Sequence, residues 1–111
     1  MKSKTKDTPS GQEVFTLVVQ VGRAPEDGLP DGATGAGMLC YAAAHDEAEA
    51  VRETVAVLRT AGLAPLDVTG YGTAQEREAE GAISTEERPL MDQALRENAV
   101  VVAEVTPFFD E

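Results

Sequence analysis

The chain has 111 residues, which is enough for one domain with its own core and too few for two. Its 20 acidic and nine basic residues give a net charge of −11, and from Thr8 onward six arginines oppose 19 acidic residues. A surface this negative repels phosphate backbones, and no apolar run approaches the roughly 20 residues of a membrane span. We therefore expect no nucleic-acid partner and no membrane association. The lysine-bearing N-terminus lacks the apolar segment of a secretory signal, and Cys40 is a lone thiol, which together predict a cytoplasmic protein.

The N-terminal part of the chain contains a polar leader and then a strand. Residues 1–12 predict a flexible leader, which leaves residues 13–111 as a single α+β domain. Apolar side chains alternate along residues 13–21 and predict the first strand. Val14 and Val18 add apolar residues to its second face, so this strand should be central and covered on part of both sides.

A glycine-rich segment, residues 22–37, follows and predicts a loop of unusual length. It holds five glycines and two prolines, and loops this long are usually functional or disordered. The glycines lead into a strand and no lysine follows them, which disfavours a phosphate-binding loop. We expect either a plain connector or a flap over a ligand, with Gly35 and Gly37 at the binding site.

The best-defined predicted element is a helix after the second strand, which spans residues 38–44. Asp46 is a good N-cap, and Glu49 stands three residues later in the pattern of a capping box. An apolar stripe then runs to residue 61. Gly62 follows in the place where a left-handed residue commonly ends a helix.

The second half of the chain alternates strands and helices. The pattern predicts a strand over 63–71, a short helix capped by Thr73, a main helix capped by Ser84 that ends near residue 98, and a strand over 99–105 that Pro107 ends. The order β-β-α-β-α-β predicts a two-layer α+β sandwich, with a four-stranded sheet and both main helices on one face. In outline this is similar to the ferredoxin-like α/β plait, which hosts many unrelated functions and so implies none here.

The most promising candidate site lies where the second and third strands end. Parallel strands would bring their carboxyl ends to one sheet edge, with His45 near Tyr71. Tyr71 could donate a hydrogen bond and His45 could act as an acid or base, which makes both candidate catalytic residues. Tyr41 shares a strand face with His45, and Thr73 follows Tyr71. We therefore add both to the candidate ligand-binding residues.

Each of these candidates also has a purely structural interpretation. His45 could be a polar residue that ends a strand, and Tyr71 could pack in a tight turn between glycines. Cys40 points away from His45 and is better explained as a small buried hydrophobe. The acidic run over residues 76–87 could hold a hard cation, although a solvated surface explains it better. We expect no metal site and no cofactor.

Two classes of function remain open from these patterns. The first is a non-catalytic regulatory or binding module for a small molecule or a basic protein. The alternative is a small plait-type enzyme that performs acid–base chemistry on a small organic substrate with His45 and Tyr71. In both cases we expect a homodimer, since Phe108 and Phe109 near the end of the last strand could be offered to a second subunit.

Overall fold

The computed structural model describes residues 11–110, so most of the predicted leader, residues 1–12, lies outside the described residues. An α+β fold is confirmed, in which three helices pack on a four-stranded antiparallel sheet. In chain order the elements are β1 (Glu13–Gly22), β2 (Ala33–Ala44), α1 (Glu47–Thr60), β3 (Ala64–Thr73), α2 (Ala74–Ala79), α3 (Glu87–Glu97) and β4 (Val100–Phe109). No helix within residues 11–110 has the length and apolar character needed to cross a membrane.

The sheet has the strand order β3-β1-β2-β4, and every neighbouring pair is antiparallel. The hairpin of β1 and β2 forms the centre, in a register that pairs Val14 with Ala43 and Val21 with Ala36. β3 and β4 are the two edges. β2 and β3 therefore run parallel to each other, as expected, but β1 lies between them.

The sheet is covered on both faces. On one face, here called the α1 face, buried strand side chains pack with Ala50 and Leu58 of α1. On the other face, here called the α3 face, Val14 and Tyr41 pack with Met91 of α3. Consecutive strand residues point to opposite faces, and β1 is apolar on both, so each face needs a helix to cover it. The prediction of both main helices on one face is therefore wrong, and the plait resemblance is only rough.

The predicted N-caps at Asp46 and Thr73 are confirmed, whereas α3 begins at Glu87 with Glu86 as its N-cap, so the prediction that Ser84 caps this helix is wrong, although the Ser84 hydroxyl accepts from the Glu87 N–H at 3.2 Å. The Asp46 carboxylate accepts a hydrogen bond from the Glu49 N–H at 2.8 Å, and Gly62 follows α1 with a φ of 89°. Thr73 and Glu76 form a reciprocal capping box at the start of α2. These features depend on residues three apart in the chain, which is why the sequence pattern was sufficient to predict them.

The predicted loop over residues 22–37 is too long, because β2 begins at Ala33 and not at residue 38. Gly35 lies inside the strand, where a Cβ atom would come within 2.4 Å of the Val21 carbonyl oxygen. Glycine here permits a close backbone approach inside a sheet and is not a sign of a flexible loop. The flap hypothesis is therefore wrong for this part of the segment.

The connection that remains between β1 and β2 is cross-linked by its own side chains. The Arg23 guanidinium donates to Asp27 at 2.9 Å and to the Ala33 carbonyl at 2.6 Å. The Asp27 carboxylate also accepts from the backbone N–H groups of Ala24 and Leu29. The hydrogen bond from Arg23 and these backbone donors hold the pKa of Asp27 well below its usual range. This turn is a fixed structure, which does not suit a mobile flap.

The last strand also exceeds its predicted end. Pro107 pairs with Ala36 inside β4, which continues to Phe109. β4 is an edge strand, so a proline there can direct its nitrogen outward, where no ladder hydrogen bond is required. Sequence alone does not distinguish an edge strand from a central one, and the prediction that Pro107 ends the strand was wrong for that reason.

One buried hydroxyl under α1 gives a stability prediction. Thr54 is fully buried, and its Oγ1 has no hydrogen-bond partner among residues 11–110. A buried polar group without a partner is costly, so Thr54→Val should raise the free energy of unfolding by about 1 kcal/mol. Denaturant unfolding would measure this change, with Thr60→Val on the exposed side of the same helix as the control. An unchanged or lowered stability of Thr54→Val would contradict the interpretation that the buried Thr54 hydroxyl destabilises the fold.

Candidate functional site

A groove crosses the α3 face of the sheet beside α3. It consists of two adjoining cavities of about 410 and 320 Å³ that share Leu39 and Glu104. We call it the sheet-face groove. Its lining comes from β1, β2, β4 and the start of α3 with the preceding turn: Val18, Gly37, Leu39, Tyr41, Ser84, Glu86, Glu87, Leu90, Ala103, Glu104, Thr106 and Phe108.

The floor of the sheet-face groove is apolar because strand periodicity places Val18 and Leu39 on the α3 face, Leu39 against the cluster under α3 and Val18 outside that cluster. Gly37 has no side chain, so another residue can lie directly over its backbone. The ring of Phe108 lies over that glycine, where it would come within 3.3 Å of an added Cβ atom. The result is an apolar surface that remains open to solvent.

One wall of the groove is fixed by a hydrogen-bonded network. The Tyr41 hydroxyl donates to Glu87 Oε2 at 2.6 Å. The Arg77 guanidinium donates to both oxygens of Glu87, at 3.0 and 3.1 Å, and to Thr16 Oγ1 at 3.0 Å. It also donates to the Ala82 carbonyl at 2.7 Å. This network joins β1, β2, α2 and α3 through one arginine.

The network determines the protonation states at the wall. Hydrogen bonds from Arg77, and then from Tyr41 and the Ser84 backbone, lower the pKa of Glu87 from its usual 4.5 to about 2. Burial, followed by the bond to Glu87, raises the pKa of Tyr41 above its usual range. Tyr41 therefore stays neutral near neutral pH and donates to a carboxylate.

The lowered pKa of Glu87 predicts a specific pH dependence of stability. Because the folded pKa lies below the unfolded one, ionised Glu87 stabilises the fold above about pH 5, and this contribution is lost as the pH falls towards 2. Allowing for partial solvent screening, we expect Glu87→Gln to cost about 2 kcal/mol near pH 7 and far less near pH 2. Denaturant unfolding of the parent chain and of Glu87→Gln between pH 7 and pH 2 tests this prediction. Asp27 titrates in both proteins, so its contribution cancels in the difference between their free energies of unfolding. A difference in the free energy of unfolding that stays the same at every pH would contradict the prediction.

The rim of the groove carries negative charge without a matching cation. Glu86 and Glu104 are exposed, and neither has an ion-pair partner within residues 11–110. No lysine or arginine is among the lining residues. An apolar floor with two uncompensated carboxylates is complementary to a ligand with an apolar body and a positive charge.

The structure places the two predicted catalytic residues on strands that are not neighbours. His45 follows β2, with its Nδ1 2.8 Å from Glu49 Oε1, and its backbone N–H donates to the same oxygen at 2.7 Å. Tyr71 lies on β3 and is 56% exposed. Two strand spacings, about 10 Å, separate the backbones of β2 and β3 because β1 runs between them. The acid–base enzyme hypothesis stays a prediction.

The other predicted residues divide between structural and groove positions. Thr73 caps α2, and Gly35 meets the backbone of β1, so both have structural roles. Tyr41 and Gly37 line the sheet-face groove. Cys40 lies on the opposite face from Tyr41, as predicted, and burial raises the pKa of its thiol to about 11.

Sequence reasoning missed the residues that build the groove wall. The acidic run over residues 76–87 was interpreted as solvated, but Glu87 is only 18% exposed and Arg77 only 14%. Arg77 is the only cation in that run, which is the one signal that could have marked it as a structural partner. Within residues 11–110, no group of three or more histidine, cysteine, aspartate or glutamate residues is arranged to hold a metal ion.

Comparison with known proteins adds a family relationship. No curated protein and no solved structure matches the chain. A family model does match over residues 14–109, which runs from β1 to the last residue of β4 and includes the complete sheet-face groove. The chain therefore belongs to the family described as Domain of unknown function (DUF8846).

Proposed function

We propose that the protein is a non-catalytic binding module whose ligand occupies the sheet-face groove and combines an apolar body with a positive charge. The observation that carries this proposal is the open apolar floor around Leu39, bordered by Glu86 and Glu104 without a cation in the lining. The lone buried thiol of Cys40 is consistent with action in the cytoplasm, which we propose as its compartment.

The apolar floor supplies the affinity in this proposal. Sites for small molecules are lined mostly by apolar side chains, and Leu39 and Phe108 contribute such a lining here. Burial of an apolar group on this floor would be favourable by about 25 cal/mol for each Å² removed from water.

The carboxylates supply the selectivity. Glu87 is already engaged by Arg77 and Tyr41, so it contributes little further attraction to a cation. Glu86 and Glu104 stand at the rim, where an ammonium or guanidinium group could pair with either of them. An anionic ligand of the same size would meet two like charges and be rejected.

The fluorescent amine dansylcadaverine, which joins an aromatic body to an ammonium group, is a suitable probe. We expect its fluorescence to rise on titration with the full chain, and the anionic dye anilinonaphthalene sulfonate to bind much less. The double variant Glu86→Gln/Glu104→Gln should weaken dansylcadaverine binding by about fivefold at low salt, because two exposed charge contacts are lost.

A charge-matched variant controls for general attraction to an acidic protein. Glu53→Gln/Glu80→Gln removes the same net charge at exposed positions outside the lining, so its binding should stay close to that of the parent chain. Equal weakening in both double variants would show attraction to overall charge alone. Unchanged affinity in Glu86→Gln/Glu104→Gln would place the ligand elsewhere. Either outcome would overturn the proposal.

A further inference from the structure

We infer that β4 is the receiving strand for an extended segment of another protein, in which basic and apolar residues alternate and which joins the sheet as a fifth strand beyond β4. This inference goes beyond the proposed function, because it concerns the outer edge of β4, where only the basic side chains of the partner would reach the rim of the sheet-face groove, at Glu104. Addition of a strand to an open sheet edge is a general mode of peptide recognition.

The edge at β4 is suited to receive a strand. β4 lies at the end of the strand order, spans ten residues and contains neither glycine nor lysine. The opposite edge, β3, carries the usual obstacles to strand addition: Pro65, Gly70, Gly72 and two register shifts. The pairing of β4 with β2 also has two register shifts, at Ala33/Gly35 and at Leu39/Cys40, and β4 contains one proline, but unlike β3 it contains no glycine.

The backbone of β4 indicates which groups are available. Pro107 pairs with Ala36 and has no N–H, so its nitrogen belongs on the outer side of the edge. The pairing from Val105 to Pro107 is continuous, and backbone groups alternate sides along a strand. The N–H and C=O of Val105 therefore also face outward, where an added strand can pair with them.

The side chains of β4 define the chemistry of that segment. Val102 and Val105 pair with Cys40 and Met38, which places them on the α1 face, and they are 40% and 44% exposed. Glu104 pairs with Leu39 on the α3 face, at the rim of the sheet-face groove. Side chains opposite each other on neighbouring strands interact directly. Apolar residues of the partner would meet the valines, and basic residues would meet Glu104.

Charge favours a basic partner over a second copy of this chain. The chain carries −11, and its three lysines all lie within residues 2–6, outside β4. Antiparallel pairing of β4 with β4 of a second copy would add a second Glu104 to this edge without a cation in either strand. A basic segment would instead pair its positive side chains with the Glu104 carboxylate.

The probe is a fluorescein-labelled peptide of alternating lysine and valine, about as long as β4. Fluorescence anisotropy should report binding to the full chain, whereas a peptide of alternating glutamate and valine should not bind. Two further lysine–valine peptides carry N-methyl groups on either the lysine or the valine amides, so each blocks one edge of the peptide. We expect one of them to lose at least about tenfold in affinity, because it can no longer donate to β4.

A variant of the protein tests the same edge from the other side. Val105→Pro removes an outward N–H, and Val105→Thr keeps that N–H while it changes the side chain. We expect Val105→Pro to weaken peptide binding at least about tenfold and Val105→Thr to retain most of it, with circular dichroism showing that both are folded. Should Val105→Pro not fold, the N-methylated peptides decide the matter alone.

The outcomes separate this inference from the proposed function. Equal affinity of both N-methylated peptides and the unmodified one would overturn strand addition, and dansylcadaverine binding would remain as the test of the groove. Peptide binding that depends on the edge, without dansylcadaverine binding, would support β4 and overturn the groove. A dimer in native mass spectrometry that Val105→Pro separates, together with no peptide binding, would replace the basic partner with a second copy.

Discussion

Gly35→Ala is expected to lower the free energy of unfolding by about 3 kcal/mol, because the added methyl group has no space and nothing beside it can yield. A Cβ atom at this position would lie 2.4 Å from the Val21 carbonyl oxygen, which is backbone of the neighbouring strand. Relief would require the two central strands, β1 and β2, to separate near the turn that joins them. Denaturant unfolding measures the change, and a lower thermal midpoint should accompany it.

Gly37→Ala is the matched control for this prediction. It lies two residues further along the same strand, but its added Cβ atom would meet only the ring of Phe108, at 3.3 Å. That ring is partly exposed and can turn aside, so we expect a loss of less than about 1 kcal/mol. Similar effects of the two substitutions would contradict the interpretation that Gly35 is required for the close approach of two backbones.

Arg77→Met is also expected to destabilise the protein by about 3 kcal/mol. Arg77 and Glu87 are 14% and 18% exposed, so removal of the guanidinium leaves a carboxylate mostly out of water without its counter-ion. Two further acceptors, Thr16 Oγ1 and the Ala82 carbonyl, lose their donor as well. Denaturant unfolding near neutral pH tests this prediction.

Two further variants identify the cause. Arg88 pairs with Glu78 at 3.5 Å on an exposed surface, so Arg88→Met should cost less than about 0.5 kcal/mol. Adding Glu87→Gln to Arg77→Met should recover part of the lost stability, because the unpaired carboxylate is then absent. Equal costs for Arg77→Met and Arg88→Met would mean that the Arg77–Glu87 pair contributes no more than an ordinary surface pair.

Local signals account for the parts of the fold that were predictable. Three features act between residues a few positions apart: the N-cap of α1 at Asp46, the apolar stripe of α1 and the capping box at Thr73. Their geometry needs no knowledge of the rest of the chain. The same holds for β1. Its apolar side chains alternate along the chain, and the position of Val14 on its second face follows from that alternation.

The errors arose where a residue depends on a distant neighbour. Glycine is typical of loops and proline is typical of strand ends. Gly35 and Pro107 nevertheless each lie within a strand. The first is explained by the carbonyl of Val21 and the second by the outer position of β4 in the sheet. Neither fact is visible along the chain.

The candidate site shows the same division. Tyr41 and Gly37 were among the predicted binding residues, and both line the sheet-face groove. His45 and Tyr71 were paired because their strands were expected to run parallel; the strands do so, but β1 lies between them. Arg77 and Glu87 were not selected, because Glu87 accepts from Tyr41, 46 positions earlier, and Arg77 donates to Thr16, 61 positions earlier, and contacts over such separations leave no local pattern.

The sequence by itself determined the α+β class, the N-caps of α1 and α2, the apolar faces of the central strands and the strongly negative surface. Each of these features follows from the composition or from side chains that are only a few positions apart in the chain. The tertiary structure decided the strand order, the placement of α1 and α3 on opposite faces and the position of the groove. These depend on contacts between segments far apart in the chain, where the pairing that buries the most apolar surface prevails over local preference.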